Sequence, residues 1–225
     1  MSTLYTIPTP LGGKTADALP ASALDIVRTL REFAVENAKS ARAFLKDVGM
    51  PVPVQELHVS EDLLSFLAVL EAGHPVGLLS EAGCPAIADP GAKLVEAAQR
   101  AGIRVVPLVG PSSVVLSLMA SGLEGQRFAF CGYLPRETAD RARKIRALEA
   151  RSRRENETQI FIETPYRNDA LLAALLEQCS PATQLCIASD LTLPTESVRT
   201  RTIADWRSSP AAIGKRPTVF LLLSR

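Results

Sequence analysis

The chain is expected to fold as two α/β domains, the first built on a mostly parallel sheet and the second on a mixed one. Three observations carry this expectation. Pro75 to Pro111 reads as a strand (Val76 to Leu79), a turn-rich loop (Ser80 to Pro90), a helix (Gly91 to Ala101) and a second strand (Ile103 to Leu108). That is a βαβ unit, whose two strands must run parallel. The last quarter has another character: Glu196 to Thr202 alternates and Thr218 to Leu223 closes the chain, with no long helix between them, as in an antiparallel or mixed sheet. The glycine-bounded stretch Gly122 to Gln126 separates the two regimes, which places the domains at 1–123 and 124–225.

Each element has a local reason. Leu4 to Ile7 is an apolar strand stopped by Pro8-Thr9-Pro10-Leu11-Gly12-Gly13, a run that can neither extend a sheet nor start an ordinary helix. Ala23 to Leu30 places Leu24, Val27 and Leu30 on one helical face, and Phe33 to Val35 makes a short strand. Asn37 is a helix cap, Ala41, Phe44, Leu45 and Val48 recur at helical spacing, and Gly49 ends the run. Ser60-Glu61-Asp62 reads as a cap followed by acids for the helix carrying Leu63, Leu64, Leu67 and Leu70. Asp89 and Pro90 open the helix of the βαβ unit and Gly102 closes it. Pro111-Ser112-Ser113 starts a helix that is apolar nearly all round as far as Gly122, which predicts burial between layers or domains. Arg127 to Tyr133, Thr158 to Glu163 and Gln184 to Ser189 read as strands, Ala139 to Arg154 as a basic helix and Tyr166 to Cys179 as a helix rich in leucine.

Composition narrows the function. With 47% hydrophobic and 22% charged residues the chain is an ordinary globular protein. It has no apolar run of bilayer length and no secretory pattern at its amino terminus, so a cytoplasmic protein is expected. Cys84, Cys131, Cys179 and Cys186 lack paired spacing, and with only His58 and His74 to join them no metal site is expected. The net charge is +1, yet Arg136 to Arg154 alone carries +5, leaving −4 for the remainder. One segment therefore concentrates the positive field.

Three turn-rich loops follow apolar strands: Thr9 to Lys14, Ser80 to Pro90 and Gly110 to Ser113. In an open α/β sheet such loops gather at one edge and can share a ligand. None contains G-x-G-x-x-G, G-x-x-x-x-G-K-[ST] or G-x-S-x-G, which excludes the usual dinucleotide, P-loop and hydrolase signatures.

The strings VGLLSEAGCPAIADPGAKLV and VVPLVGPSSVVLSLMASGL, followed by FAFCGYLPRETADRARKIRALE and IFIETPYRNDALLAAL, resemble the tetrapyrrole methylase family of S-adenosylmethionine-dependent methyltransferases. The resemblance is closest to the branch that methylates a cytidine ribose 2′-oxygen in small-subunit ribosomal RNA. It implies S-adenosylmethionine in a cleft between the two domains, a homodimer and a ribosomal RNA partner. By position it implies cofactor contacts at Pro8, Thr9 and Pro10, at Ser80, Glu81, Ala82 and Gly83, at Ser112 and Ser113, and at Thr164 beside Glu163. The chain departs from that branch at Leu11 to Asp17, at Glu36 to Lys39, at Cys84 and at Ser189 to Thr192, and it shows no counterpart of a small carboxyl-terminal module frequent there.

Transfer to a ribose hydroxyl needs alignment and profits from a base. Glu36, Glu163 and Asp190 are the candidates by position; Arg136, Arg141, Arg143, Lys144 and Arg167 are candidates for RNA phosphates. Two other readings stand beside this one: the same cofactor with a tetrapyrrole or other small acceptor, and a non-catalytic binding or regulatory homologue.

Overall fold

The computed structural model describes residues 2–225. They form two compact units, which divide between Ser112 and Ser113. The helix after Pro111 thus goes with the second unit.

In the first unit the elements run β1 (Thr3–Ile7), α1 (Thr15–Ala18), α2 (Ala21–Thr29), β2 (Glu32–Val35), α3 (Ala38–Val48), β3 (His58–Ser60), α4 (Phe66–Glu71), β4 (Val76–Leu79), α5 (Ala92–Arg100) and β5 (Arg104–Pro107). The five strands form one sheet in the order β3-β2-β4-β1-β5, and every neighbouring pair is parallel. Strand side chains alternate between two apolar layers. Ile7, Phe33, Val35 and Leu79 pack with α2 and α3 residues such as Val27 and Leu45, whereas Leu4, Ala34, Val76 and Leu78 pack with Phe66, Leu70, Leu94 and Ala98 of α4 and α5. A sheet buried on both faces explains why its strands read as continuous apolar runs.

The expected cap at Asn37 is present: its side chain accepts from the N–H groups of Lys39 and Ser40, and Gly49 ends α3 at φ +74°. Two local expectations are corrected. His58–Ser60 is a strand paired with β2, so Ser60 lies in the sheet; the segment after it enters α4 through a 3₁₀ turn, Leu63–Ser65. Asp89 does not cap α5, whose N-cap position is Gly91 without a side-chain bond. Its Oδ1 instead accepts from the N–H groups of Ala86 and Gly91, both at 2.8 Å, and so folds the loop upon itself.

The second unit runs α6 (Ser113–Ser121), β6 (Phe128–Tyr133), α7 (Thr138–Glu155), β7 (Thr158–Ile162), α8 (Asn168–Gln178), β8 (Gln184–Ser189), β9 (Ser197–Thr202), α9 (Ile203–Ser208) and β10 (Thr218–Leu223). Its sheet has the order β6-β7-β10-β8-β9; β6 and β7 are parallel and the other pairs antiparallel. The expected parallel-plus-mixed architecture is what forms. Phe161, Leu185, Ile187, Phe220 and Leu222 build the main core of this unit with Leu171, Leu175 and Trp206 from the helices.

Helix α6 is not buried all round. Its buried side chains are Ser117 and Ser121, while Val115 and Met119 are 48% and 75% exposed. Each serine hydroxyl donates to a carbonyl one turn back, Val114 and Leu118 respectively, which satisfies it locally and lets the helix approach β10 and β9 closely. A uniformly apolar pattern carries no information about which side packs.

Candidate functional site

In a parallel sheet, pairing register fixes which residues leave the carboxyl edge together. Ile7 pairs with Leu79 and Leu79 with Val35, so Pro8, Ser80 and Glu36 emerge side by side. The connections leaving β1 and β4 run in opposite directions across the sheet, the arrangement at which open α/β sheets form a ligand crevice.

The loops are joined by their backbones. Thr9 N–H donates to Gly83 C=O at 2.9 Å and Gly83 N–H returns a bond to Thr9 C=O at 3.0 Å. The Thr9 hydroxyl donates to Ser80 C=O at 3.3 Å and the Ser80 hydroxyl to Gly83 C=O at 2.9 Å. Both side chains are buried, so Thr9 and Ser80 build the loop cluster, and Glu81 and Ala82 are its exposed members. Gly83 has φ +81°, and a Cβ there would lie 3.2 Å from Leu11 Cδ2, so a glycine suits both the backbone and the space. The third turn joins through Gly110, which lies against Pro8, and through the Cys84 thiol, 3.4 Å from Pro111 C=O. Burial raises the pKa of that thiol, which favours its neutral form.

Carboxylates gather beside this cluster. Glu36 Oε2 accepts from Glu81 N–H at 3.3 Å, and Glu81 Oε1 accepts from the Ser40 hydroxyl at 3.4 Å. Glu61 Oε1 accepts from Ala38 N–H at 2.8 Å. Partial burial pushes the Glu36 carboxyl above its ordinary value; the Glu81 N–H opposes this, and the charges of Asp89 and Glu81 add to it. Ser40 and Glu61 were not among the site candidates expected from the sequence. The cap at Asn37 was the available signal for Ser40, whose N–H is the second of the two that the Asn37 side chain accepts from; Glu61 follows the unrecognised strand β3. Exposed carboxylates next to Pro10, Leu11 and the Gly83 turn fit an adenosyl group, whose ribose hydroxyls need acceptors and whose ring needs an apolar wall.

The remaining expected residues lie in the second unit, apart from Ser112 at the end of the first. Ser113 begins α6. Glu163 follows β7 and is buried; its Oε1 accepts from Thr164 N–H at 2.7 Å, and Oε2 forms an ion pair with Arg167 at 3.1 Å without an aligned hydrogen bond. Arg167 also donates to Pro135 C=O at 3.4 Å. Arg141 is tied to Arg136 C=O at 3.2 Å and Arg143 to Asp140. Arg136 and Lys144 are exposed side chains with no ionic or hydrogen-bond partner among the described residues. Farther along α7, Arg151 pairs with Glu157 at 2.9 Å and Arg154 with Glu155 at 2.8 Å, so much of the basic run is already neutralised.

Asp190 has φ +52° and a buried carboxylate, with Oδ2 accepting from Arg216 Nε at 2.6 Å and from the Thr195 hydroxyl at 2.9 Å. The Arg216 guanidinium holds its pKa below the ordinary 3.8, against the opposing effect of burial. A depressed pKa contributes stability that is complete above the unfolded value and is lost as pH falls through the folded one. Urea unfolding between about pH 5 and pH 2 should therefore show wild-type stability falling toward that of Asp190→Asn below about pH 4. Parallel curves would mean that the Arg216 pair adds nothing.

The fold and the joined loops define the class first. Solved chains of the same architecture include uroporphyrin-III C-methyltransferase from Thermus thermophilus, 20% identical with a TM-score of 0.59 over 98% of this chain and 94% of that one. The methyltransferase CobJ is 17% identical with a TM-score of 0.62 over 99% and 93%. No protein-family model matches the chain. Among curated proteins, ribosomal RNA small subunit methyltransferase I of Pseudomonas aeruginosa is 32% identical over 213 residues, covering 92% of this chain and 73% of that one. The protein of that name in Mesorhizobium japonicum is 34% identical over 203 residues, covering 89% and 67%. The chain belongs to the ribosomal RNA small subunit methyltransferase I family and is an S-adenosylmethionine-dependent methyltransferase.

Proposed function

We propose that the protein transfers a methyl group from S-adenosylmethionine to a ribose 2′-oxygen of small-subunit ribosomal RNA. The supporting observation is the 32% identity to a relative of that name across 92% of the chain. S-adenosylmethionine supplies a methyl already activated by its sulfonium, so alignment accounts for most of what the protein must add. Pro8, Thr9 and Pro10, Ser80 to Gly83, and Ser112, Ser113 and Thr164 are the proposed cofactor contacts. Within the first unit, Glu81 accepts from ribose hydroxyls, Pro10 and Leu11 exclude water, and the mutual bonds of Thr9 and Gly83 hold the loops.

Glu36 is the favoured proton acceptor for the attacking hydroxyl, because its raised pKa brings it closer to the working pH. Glu163 and Asp190 are each held by an arginine and have positioning roles. Arg136 and Lys144, whose side chains have no ionic or hydrogen-bond partner among the described residues, are available to phosphates at once; Arg141, Arg143 and Arg167 must first exchange a contact. The exposed apolar residues Val115, Met119, Phe128 and Tyr133 support assembly as a homodimer. A cytoplasmic location follows from the proposed ribosomal RNA substrate; among the described residues no helix is long and apolar enough to cross a membrane.

Mass spectrometry of ribosomal RNA nucleosides from a strain lacking the protein should show one ribose methyl missing, restored by the wild-type chain. An unchanged profile would remove the ribosomal RNA assignment and leave a small-molecule acceptor as the reading to pursue.

A further inference from the structure

The second unit contains a cavity of about 320 Å³ outside every residue assigned above except Asp190, whose partner lines it. Its floor is the β8–β9 edge of the sheet, and its wall is α9 with the 209–216 loop. Arg199, Arg201 and Arg216 line it, together with Ser197, Ser209 and Trp206. The pairing of Ile187 with Arg199 and of Leu185 with Arg201 puts both arginines on the same sheet face as the main core, at its open margin.

The three cations are in different states. Arg216 is neutralised by Asp190 at 2.6 Å and also donates to Thr195 C=O at 2.5 Å. Arg201 lies over the Trp206 ring, 4.8 Å from its centroid, and the indole N–H is fixed to Leu185 C=O at 2.9 Å. The tryptophan therefore orders one guanidinium without neutralising it. Arg199 is exposed and has no acidic partner among the described residues. The neighbouring acid Glu196 is occupied, its Oε2 accepting from Thr192 N–H at 2.7 Å. Two uncompensated guanidiniums with serine hydroxyls beside them make a set of donors that matches phosphate oxygens.

We propose that this cavity binds the phosphodiester backbone of RNA. The inference rests on the ribosomal RNA reading for the identity of the polyanion, and on the cavity alone for its location. Successive same-face residues on a strand are about 7 Å apart. Arg199 and Arg201 thus present a line of charge, which a chain of phosphates satisfies better than a single ion does. Because Arg201 already covers the Trp206 ring, no base stacks there, and recognition is of the backbone without sequence preference.

Trp206 is the only tryptophan in the chain, so its emission reports directly on the cavity. A short unstructured oligoribonucleotide titrated into the intact protein should change that emission saturably. Arg199→Gln should weaken the binding about tenfold and lower the salt dependence by about one phosphate contact. Arg199→Lys should retain binding, and Lys93→Gln, in the first unit, should match wild type. Circular dichroism verifies that each variant is folded. Equal affinity of wild type and Arg199→Gln would overturn the proposal, as would an emission change produced by inorganic phosphate alone, or the absence of any change with either probe. The nucleoside profile separates the two readings. Arg199-dependent binding with unchanged ribosomal RNA would sink the methylation target and leave the cavity; a missing methyl with Arg199-independent binding would sink the cavity alone.

Discussion

Glu36→Gln is expected to lower kcat by about 10²- to 10⁴-fold while affinity for S-adenosylhomocysteine is little changed. The pairing of Val35 with Leu79 delivers Glu36 to the same level of the sheet edge as Ser80. The Glu81 N–H then fixes Oε2 at 3.3 Å, which leaves the other oxygen to take a proton. Partial burial raises the carboxyl above 4.5, with the charges of Asp89 and Glu81 contributing in the same direction. The acidic limb of the kcat profile should accordingly lie above 4.5 and disappear in the variant. Glutamine can still accept the Glu81 N–H bond. If Glu36 served only to hold the Glu81 loop, Glu36→Gln would keep most of its rate and its acidic limb, and the assignment as base would fall. Asp190 offers the contrast: a carboxylate held low by Arg216 is a poor proton acceptor, so Asp190→Asn should alter stability more than the shape of the profile.

The fold was legible where an element's own residues determine it. The strands of the first unit read as apolar runs because helices cover both faces, and α3 announced itself through Asn37 and Gly49. What escaped depends on partners distant in sequence. His58–Ser60 has three residues, two of them polar, and is a strand only because β2 pairs with it. Asp89 was recognised as an acceptor for free N–H groups, but loop geometry decided which ones: Ala86 at φ +66° brings its N–H to the same oxygen as Gly91. The alternation that placed Arg199 and Arg201 on one face was readable. The cavity was not, since its wall is the six-residue helix α9, too short to show a helical period. Likewise the loop cluster is held by the backbone bonds of Thr9 and Gly83, which most residue types could make.

Gly110→Ala is expected to destabilise the first unit by about 1–3 kcal/mol and to weaken S-adenosylhomocysteine binding as well. A Cβ at this position would fall 2.4 Å from Pro8 Cβ, 2.8 Å from Pro8 Cγ and 2.7 Å from Leu19 Cδ2. Leu19 can change rotamer, but the proline ring cannot turn away because it is closed on its own backbone. Either the Gly110 turn or Pro8 must move, and Pro8 is followed directly by Thr9, whose two backbone bonds hold Gly83. Displacement at the end of β5 is thereby passed to the loop after β4. Gly77→Ala separates this effect from ordinary overpacking. Its Cβ would meet Ile7 Cδ1 at 2.7 Å and Phe33 Cδ1 at 2.9 Å, inside the core and below the loops. Both variants should lose stability to urea by similar amounts. Calorimetry below the unfolding transition should show weaker binding in Gly110→Ala and near-normal binding in Gly77→Ala. Equal affinities in the two would mean that the turns after β1, β4 and β5 move independently, and the order of the proposed ligand-binding edge would then need another explanation.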